Sequence, residues 1–281
     1  MTMAMAGTPR ANACLRAAAA GLLVLLAGGC ATPQQGQGQG QGQENAVTSV
    51  VTPSDESDAR RRARIRLELA GGYFEQGQTD IALDELKQAI VADPTFADAY
   101  NLRGLIYMRL NDTRQAEESF RRALALNSRD ADTHHNYGWM QCQQKRYAEA
   151  QRSFDVALTN PTYGGRSKTL MAMGLCQARA GQLAEAERSL ARSYELDAGN
   201  PITGFNLSQL LFTRGDFTRA QFYIRRLNNS ELANAETLWL GIKVEQRMND
   251  AVAMEQLAEQ LRKRYPQSRE RTWVDRRAFN E

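Results

Sequence analysis

Histidine is nearly missing from this sequence, proline is sparse, and neither sign of charge prevails. The two histidines, His134 and His135, are adjacent. Neighbours on a helix point about 100° apart, so they cannot form the i, i+4 pair that a helical zinc site needs. Seven prolines in 281 residues leave room for long helices. The formal net charge is +3. With Arg10 and Arg16 set aside in a leader that contains no acid, basic and acidic residues almost cancel, which argues against a nucleic-acid binder with a one-sided basic face.

Catalytic motifs are missing as well. The chain has no nucleophile elbow, Walker loop or dinucleotide fingerprint. The Gln-Gly alternation after Thr32 spaces glycines regularly but follows no strand, so it does not read as a phosphate loop. No catalytic residue, metal ligand, cofactor or small-molecule substrate is expected. A hydrolase would have to be built on scattered residues, and Cys142 with His135 is the one pair that suggests it.

Long apolar runs are limited to Ala17–Gly29, which has the length of a secretory signal and is too short to span a bilayer. It ends in Leu26-Ala27-Gly28-Gly29-Cys30, which resembles a bacterial lipobox with Cys30 as the acylated residue. The resemblance departs at Ala27, where leucine is usual, and an ordinary secretory signal is the alternative. Ala31, rather than aspartate, follows the cysteine, which resembles an outer-membrane address. Residues 1–29 are therefore read as a signal peptide, and 30–57 as the lipidated Cys30 with a disordered Gln/Gly-rich tether. The expected location is the outer membrane, lipid-anchored and facing the periplasm.

What the chain has in quantity is repetition. From Ala63 to Phe96 the markers are Leu69, Ala70, Tyr73, Ala82, Leu86, Ala89 and Pro94, and the pattern returns in units starting near Ala97, Ala131, Ser167, Pro201 and Asn234. Position 8 is always small (Ala70, Gly104, Gly138, Gly174, Ser208, Gly241), as is position 20 (Ala82, Ala116, Ala150, Ala186, Ala220, Ala253). Position 24 is large and apolar (Leu86, Phe120, Phe154, Leu190, Ile224, Leu257). Gly77, Asn111, Lys145, Gly181, Gly215 and Asn249 mark the turns within units. A 34-residue period of this kind is the tetratricopeptide repeat (TPR) signature, two helices per unit. The fold class is all-α: a right-handed α-solenoid of about six helix pairs over 58–266, with 267–281 as a C-terminal capping segment carrying Trp273, Val274 and Phe279. A partner-binding tail is the alternative for that last stretch.

In such a stack the first helices line a concave face. The residues expected to reach into it are Leu67, Phe74, Asn101, Leu105, Met108, His135, Trp139, Met171, Leu175, Phe205 and Phe212, followed by Leu238 and Ile242. This apolar line reads as a groove for a peptide or amphipathic segment of a protein partner. The arginines Arg60, Arg61, Arg62, Arg64 and Arg66 read as a solvated helix face, with contact to anionic lipid as the alternative. Cys142 and Cys176 sit at positions 12 and 10 of neighbouring units, so the expectation is free structural thiols, a disulfide being the alternative in an oxidising compartment.

Several stretches, in order, resemble the type IV pilus biogenesis and stability lipoproteins, the PilF/PilW pilotins. They are His135-Asn136-Tyr137-Gly138 with Lys145-Arg146-Tyr147-Ala148-Glu149-Ala150, Gly174-Leu175-Cys176, Leu238-Trp239-Leu240-Gly241-Ile242, and Leu261-Arg262-Lys263-Arg264-Tyr265-Pro266. The resemblance implies a non-enzymatic outer-membrane lipoprotein that binds subunits of the pilus secretin and assists their localisation and multimerisation. From the residues alone, an envelope TPR adaptor is the reading, and a lipid-anchored scaffold for barrel assembly or peptidoglycan enzymes is the alternative.

Overall fold

The computed structural model describes residues 55–279, which lie in one compact unit. The leader, Cys30 and the Gln/Gly-rich stretch fall outside the described residues. Among the described residues there are thirteen helices and no strand. Six pairs run in order: α1 (Asp58–Glu75) with α2 (Thr79–Ala92), α3 (Ala97–Arg109) with α4 (Thr113–Leu126), and α5 (Ala131–Gln143) with α6 (Tyr147–Leu158). Then come α7 (Arg166–Arg179) with α8 (Leu183–Leu196), α9 (Pro201–Thr213) with α10 (Phe217–Asn228), and α11 (Ala235–Arg247) with α12 (Ala251–Arg264). A short α13 (Arg269–Asp275) follows.

Local chemistry ends and restarts the helices at each turn. Gly77, Asn111, Lys145, Gly181, Gly215 and Asn249 all take left-handed φ angles. The next N–H then donates to a carbonyl five residues back, as from Gln78 to Tyr73 and from Asp216 to Leu211, both at 2.9 Å. This is the Schellman closure that satisfies the last carbonyls of a helix. Asp112, Asp216 and Asp250 accept main-chain N–H bonds at the start of the following helix, each cap stabilising by about 1 kcal/mol.

The two helices of a unit interlock through small and large positions. Leu86, Phe120, Phe154, Leu190 and Ile224 are buried. A Cβ at Gly104 would lie 2.6 Å from Cε1 of Phe120, and one at Gly174 would lie 2.7 Å from Cγ of Leu190. Glycine therefore lets the large side chain lie flat on the first helix at native density. Units then stack into a TPR solenoid: successive first helices touch one another, whereas no two second helices do. The first helices thus make one continuous face.

Position along the stack changes what a repeat residue does. Leu69, expected in the core, is 43% exposed, while its equivalents Leu207 and Leu240 are buried at 0% and 1%. Position 7 packs on the preceding unit, and among the described residues nothing precedes α1. At the other end Ala253 and Leu257 are half-buried, unlike the five earlier residues at each of their positions.

The expectation of free thiols is overturned. Cys142 and Cys176 form a disulfide between α5 and α7, with Cα atoms 5.8 Å apart. Neighbouring first helices are offset along their axes, so residues two positions apart in the repeat face each other. His135 at position 5 meets Thr169 at position 3 with the same offset. Cys142 therefore presents no thiol, which removes the nucleophile a hydrolase reading required.

Candidate protein-interaction face

The expected groove residues divide by whether a neighbouring element covers them. Leu67 and Phe74 on α1 are half-buried against Ala63, Ala70 and Leu86. Leu105 and Met108 on α3 lean on Phe120 and Met140. Trp139 packs beside the disulfide and Phe154, and Met171, Leu175, Phe205 and Phe212 rest on Leu190, Leu207 and Leu211. All of these keep part of their surface open to solvent. Asn101 accepts a 3.1 Å bond from Asn136 and so ties α3 to α5.

Three residues expected in the groove are core instead. His135 is 5% exposed, and its Nδ1 lies 3.0 Å from the Thr169 hydroxyl because α7 packs directly over it. Burial, helped by the nearby Lys168 ammonium, pulls its pKa down to about 4. The ring is thus a neutral hydrogen-bonded packing element. Leu238 and Ile242 are buried because α13 closes over α11, bringing Val274 into the same cluster. Trp273 and Phe279 complete that cap by packing on Trp239, with ring centroids 5.7 and 5.8 Å away.

The face also carries cations that the repeat map omits. Arg109 lies 5.1 Å over the Phe74 ring and donates to the Phe74 carbonyl at 2.8 Å. Arg179 stands 4.9 Å over Trp139, Arg247 stands 5.8 Å over Phe212, and Lys243 lies between Phe212 and Trp239 at 5.7 and 5.5 Å. Each cation comes from the unit after its ring, so the groove is aromatic and basic rather than simply apolar. The pairing is visible in the sequence only as a recurring arginine at position 13, in Arg109 and Arg179. Burial lowers the Lys243 pKa.

The arginines near the start of α1 are engaged otherwise. Arg60 pairs with Asp93, Arg61 with Asp58, Arg64 with Glu56 and Glu68, and Arg66 with Glu85. Their charge is answered within the fold, in keeping with a solvated helix face. Among the described residues no His/Cys/Asp/Glu group is arranged to hold a metal, and no helix is long and apolar enough to cross a membrane.

Comparison with known proteins places this architecture. Residues 72–111 match the family described as TPR repeat, and 97–130 match the tetratricopeptide repeat family. The type IV pilus assembly protein PilF of Pseudomonas aeruginosa is 29% identical over 232 residues, covering 80% of this chain and 91% of PilF. The solved PilF structure from that organism superposes with a TM-score of 0.71 at 27% identity, over 79% of this chain and 100% of that one. The crystal structure of PilW, described as a widely conserved type IV pilus biogenesis factor, superposes with a TM-score of 0.69 at 30% identity, over 75% of this chain and 97% of that one. The match thus runs through the whole repeat array and is not confined to generic TPR positions. A solenoid of six helix pairs that shares both sequence and backbone with these proteins belongs to the PilF/PilW family of TPR-containing type IV pilus biogenesis proteins.

Proposed function

We propose that this chain acts as a pilotin: a lipid-anchored outer-membrane protein that binds subunits of the pilus secretin and assists their localisation and multimerisation. The observation that carries the reading is the aromatic and basic first-helix face, borne on a solenoid that matches PilW over 97% of its length. Recognition of a protein segment suits that face, because half-buried rings held by cross-unit cations are rigid contact area already in place before binding. No bond-making is required of it. The lipobox-like Leu26-Ala27-Gly28-Gly29-Cys30 supplies the proposed anchor, and several acyl chains, each methylene contributing about 0.8 kcal/mol, hold firmly where a single chain binds only marginally.

Deleting the gene tests the role. Loss of twitching motility with secretin left as monomers is expected, restored by the wild-type chain; normal secretin multimers in the deletion strain would refute it. For the anchor, Cys30→Ser should move the protein into the soluble periplasmic fraction. Retention in the outer membrane after that change would remove Cys30 as the lipid site.

A further inference from the structure

The C-terminal part of the first-helix face has a chemistry of its own. Helix α9 bears no charged residue, and α7 bears Arg166, Lys168 and Arg179 with no acid. On α11, Lys243 and Arg247 approach the rings of the face, while Glu245 is fully buried and held by Arg225 from α10. Glu236 is exposed but lies 3.5 Å from Arg269, which also pairs with the buried Glu270.

Between α9, α11 and α13 lies a cleft of about 260 Å³, walled by Phe205, Trp239, Trp273 and Lys243. This is smaller than the roughly 300–1,000 Å³ of small-molecule sites, and suits one large side chain with its adjoining main chain. Trp239 is 4% exposed, and its Nε1 has no hydrogen-bond partner. An indole N–H only donates, and leaving it unmet costs roughly 1–3 kcal/mol, so an occupant that brings an oxygen recovers that loss. The Trp239 ring also accepts an aromatic neighbour face to face, since Phe279 stacks on it at an interplanar angle of 16°.

We infer that this cleft seats an aromatic or large aliphatic side chain of a partner protein segment whose flanking residues are acidic. A main-chain oxygen of the segment accepts from Trp239, and its carboxylates face Lys243, Arg247 and Arg179. The inference rests on the reading that the first-helix face binds a partner segment, and it names the chemistry of that segment. Charge complementarity selects the acidic neighbours, because α7, α9 and α11 together present cations with Glu236 as their one exposed acid.

The test uses the whole folded chain and three labelled synthetic peptides read by fluorescence anisotropy. One has a central phenylalanine flanked by aspartates, the second replaces the phenylalanine with alanine, and the third replaces the aspartates with lysines. The first should bind at least about tenfold more tightly than either control, a difference of 1.4 kcal/mol, and should weaken as salt is raised. Lys243→Gln and Phe205→Ala should each weaken it several-fold while circular dichroism stays unchanged. Equal binding of the three peptides, no binding of the first, or undiminished binding by a folded Lys243→Gln protein would overturn the inference. If secretin subunits still co-purify with the wild-type chain in that event, the pilotin role stands and the acidic segment alone falls.

Discussion

The joint between the third and fourth units and the joint between the fifth and sixth solve the same packing problem differently. At the first, α5 and α7 are joined by the Cys142–Cys176 disulfide, and His135 bonds Thr169. Neutral pairs complete it, with Ser153 donating to Gln141 at 2.8 Å and Gln177 to Gln151 at 3.0 Å. At the second, the fully buried Glu245 carboxylate accepts from Arg225 at 2.7 and 2.8 Å and from Gln221 at 2.8 Å. An open cleft of about 500 Å³ borders that pair, lined by Asn228, Gly241 and Leu257 among others. In a stack where each unit touches only its neighbours, such differences set local stability. The central joint should answer to redox state and acid, and the terminal one to loss of a charge.

The largest effect is expected from Arg225→Ala. It strands the Glu245 carboxylate in a site with no solvent exposure, and breaking a buried pair in this way costs about 3–5 kcal/mol. Hydrogen exchange should show α11 and α12 opening first, with α5 to α8 unchanged; uniform loss of protection along the chain would show the two joints to be coupled. Glu245→Gln, which keeps a hydrogen-bonding side chain, should cost markedly less.

Removing the disulfide through Cys142→Ser with Cys176→Ser frees a loop of 34 residues, and about 2–4 kcal/mol should be lost. Here the protection pattern should reverse, with α5 to α8 loosening while the terminal joint keeps its own exchange rates. Urea unfolding of the wild type with and without reductant should give the same difference, and identical curves would show the central joint to be held by packing alone.

The same joint predicts a pH dependence. His135 has a folded pKa of about 4 against 6.5 when unperturbed, so the unfolded chain takes up its proton first. Its contribution is complete above pH 6.5, is lost as pH falls towards 4, and changes no further below that. The total is roughly 3 kcal/mol. His135→Gln should flatten the stability profile in that window, and an unaltered profile would mean that other groups carry the acid sensitivity.

Much of this architecture was legible in the sequence because it rests on local rules. The six turn residues had to reverse the chain, and all six take left-handed φ. The small and large positions had to interlock, and Gly104 under Phe120 shows how closely they do. What was not legible depends on neighbours that repeat numbering ignores. Axial offset between first helices paired Cys142 with Cys176 and buried His135 under α7. The cap hid Leu238 and Ile242, and the lack of a described unit before α1 left Leu69 in solvent. The cations of the interaction face escaped for the same reason: Arg109 and Phe74 meet only once two units are stacked.

The finest contrast between the centre and the end of the stack lies in their turns. The third unit turns on Lys145 with φ of 62°, and the fifth turns on Gly215 with φ of 82°. A residue with a Cβ is strained in this region by roughly 1–2 kcal/mol, whereas glycine adopts it freely but loses more chain entropy on folding. The Lys145 side chain is exposed, so little packing offsets the strain. Lys145→Gly should therefore stabilise by about 0.5–1 kcal/mol, and Gly215→Ala should destabilise by a similar amount. Measured together by urea unfolding, opposite signs would show that backbone strain is carried in the disulfide-linked centre and is absent from the end. Two losses would instead assign the Lys145 side chain a stabilising role that its exposure does not reveal.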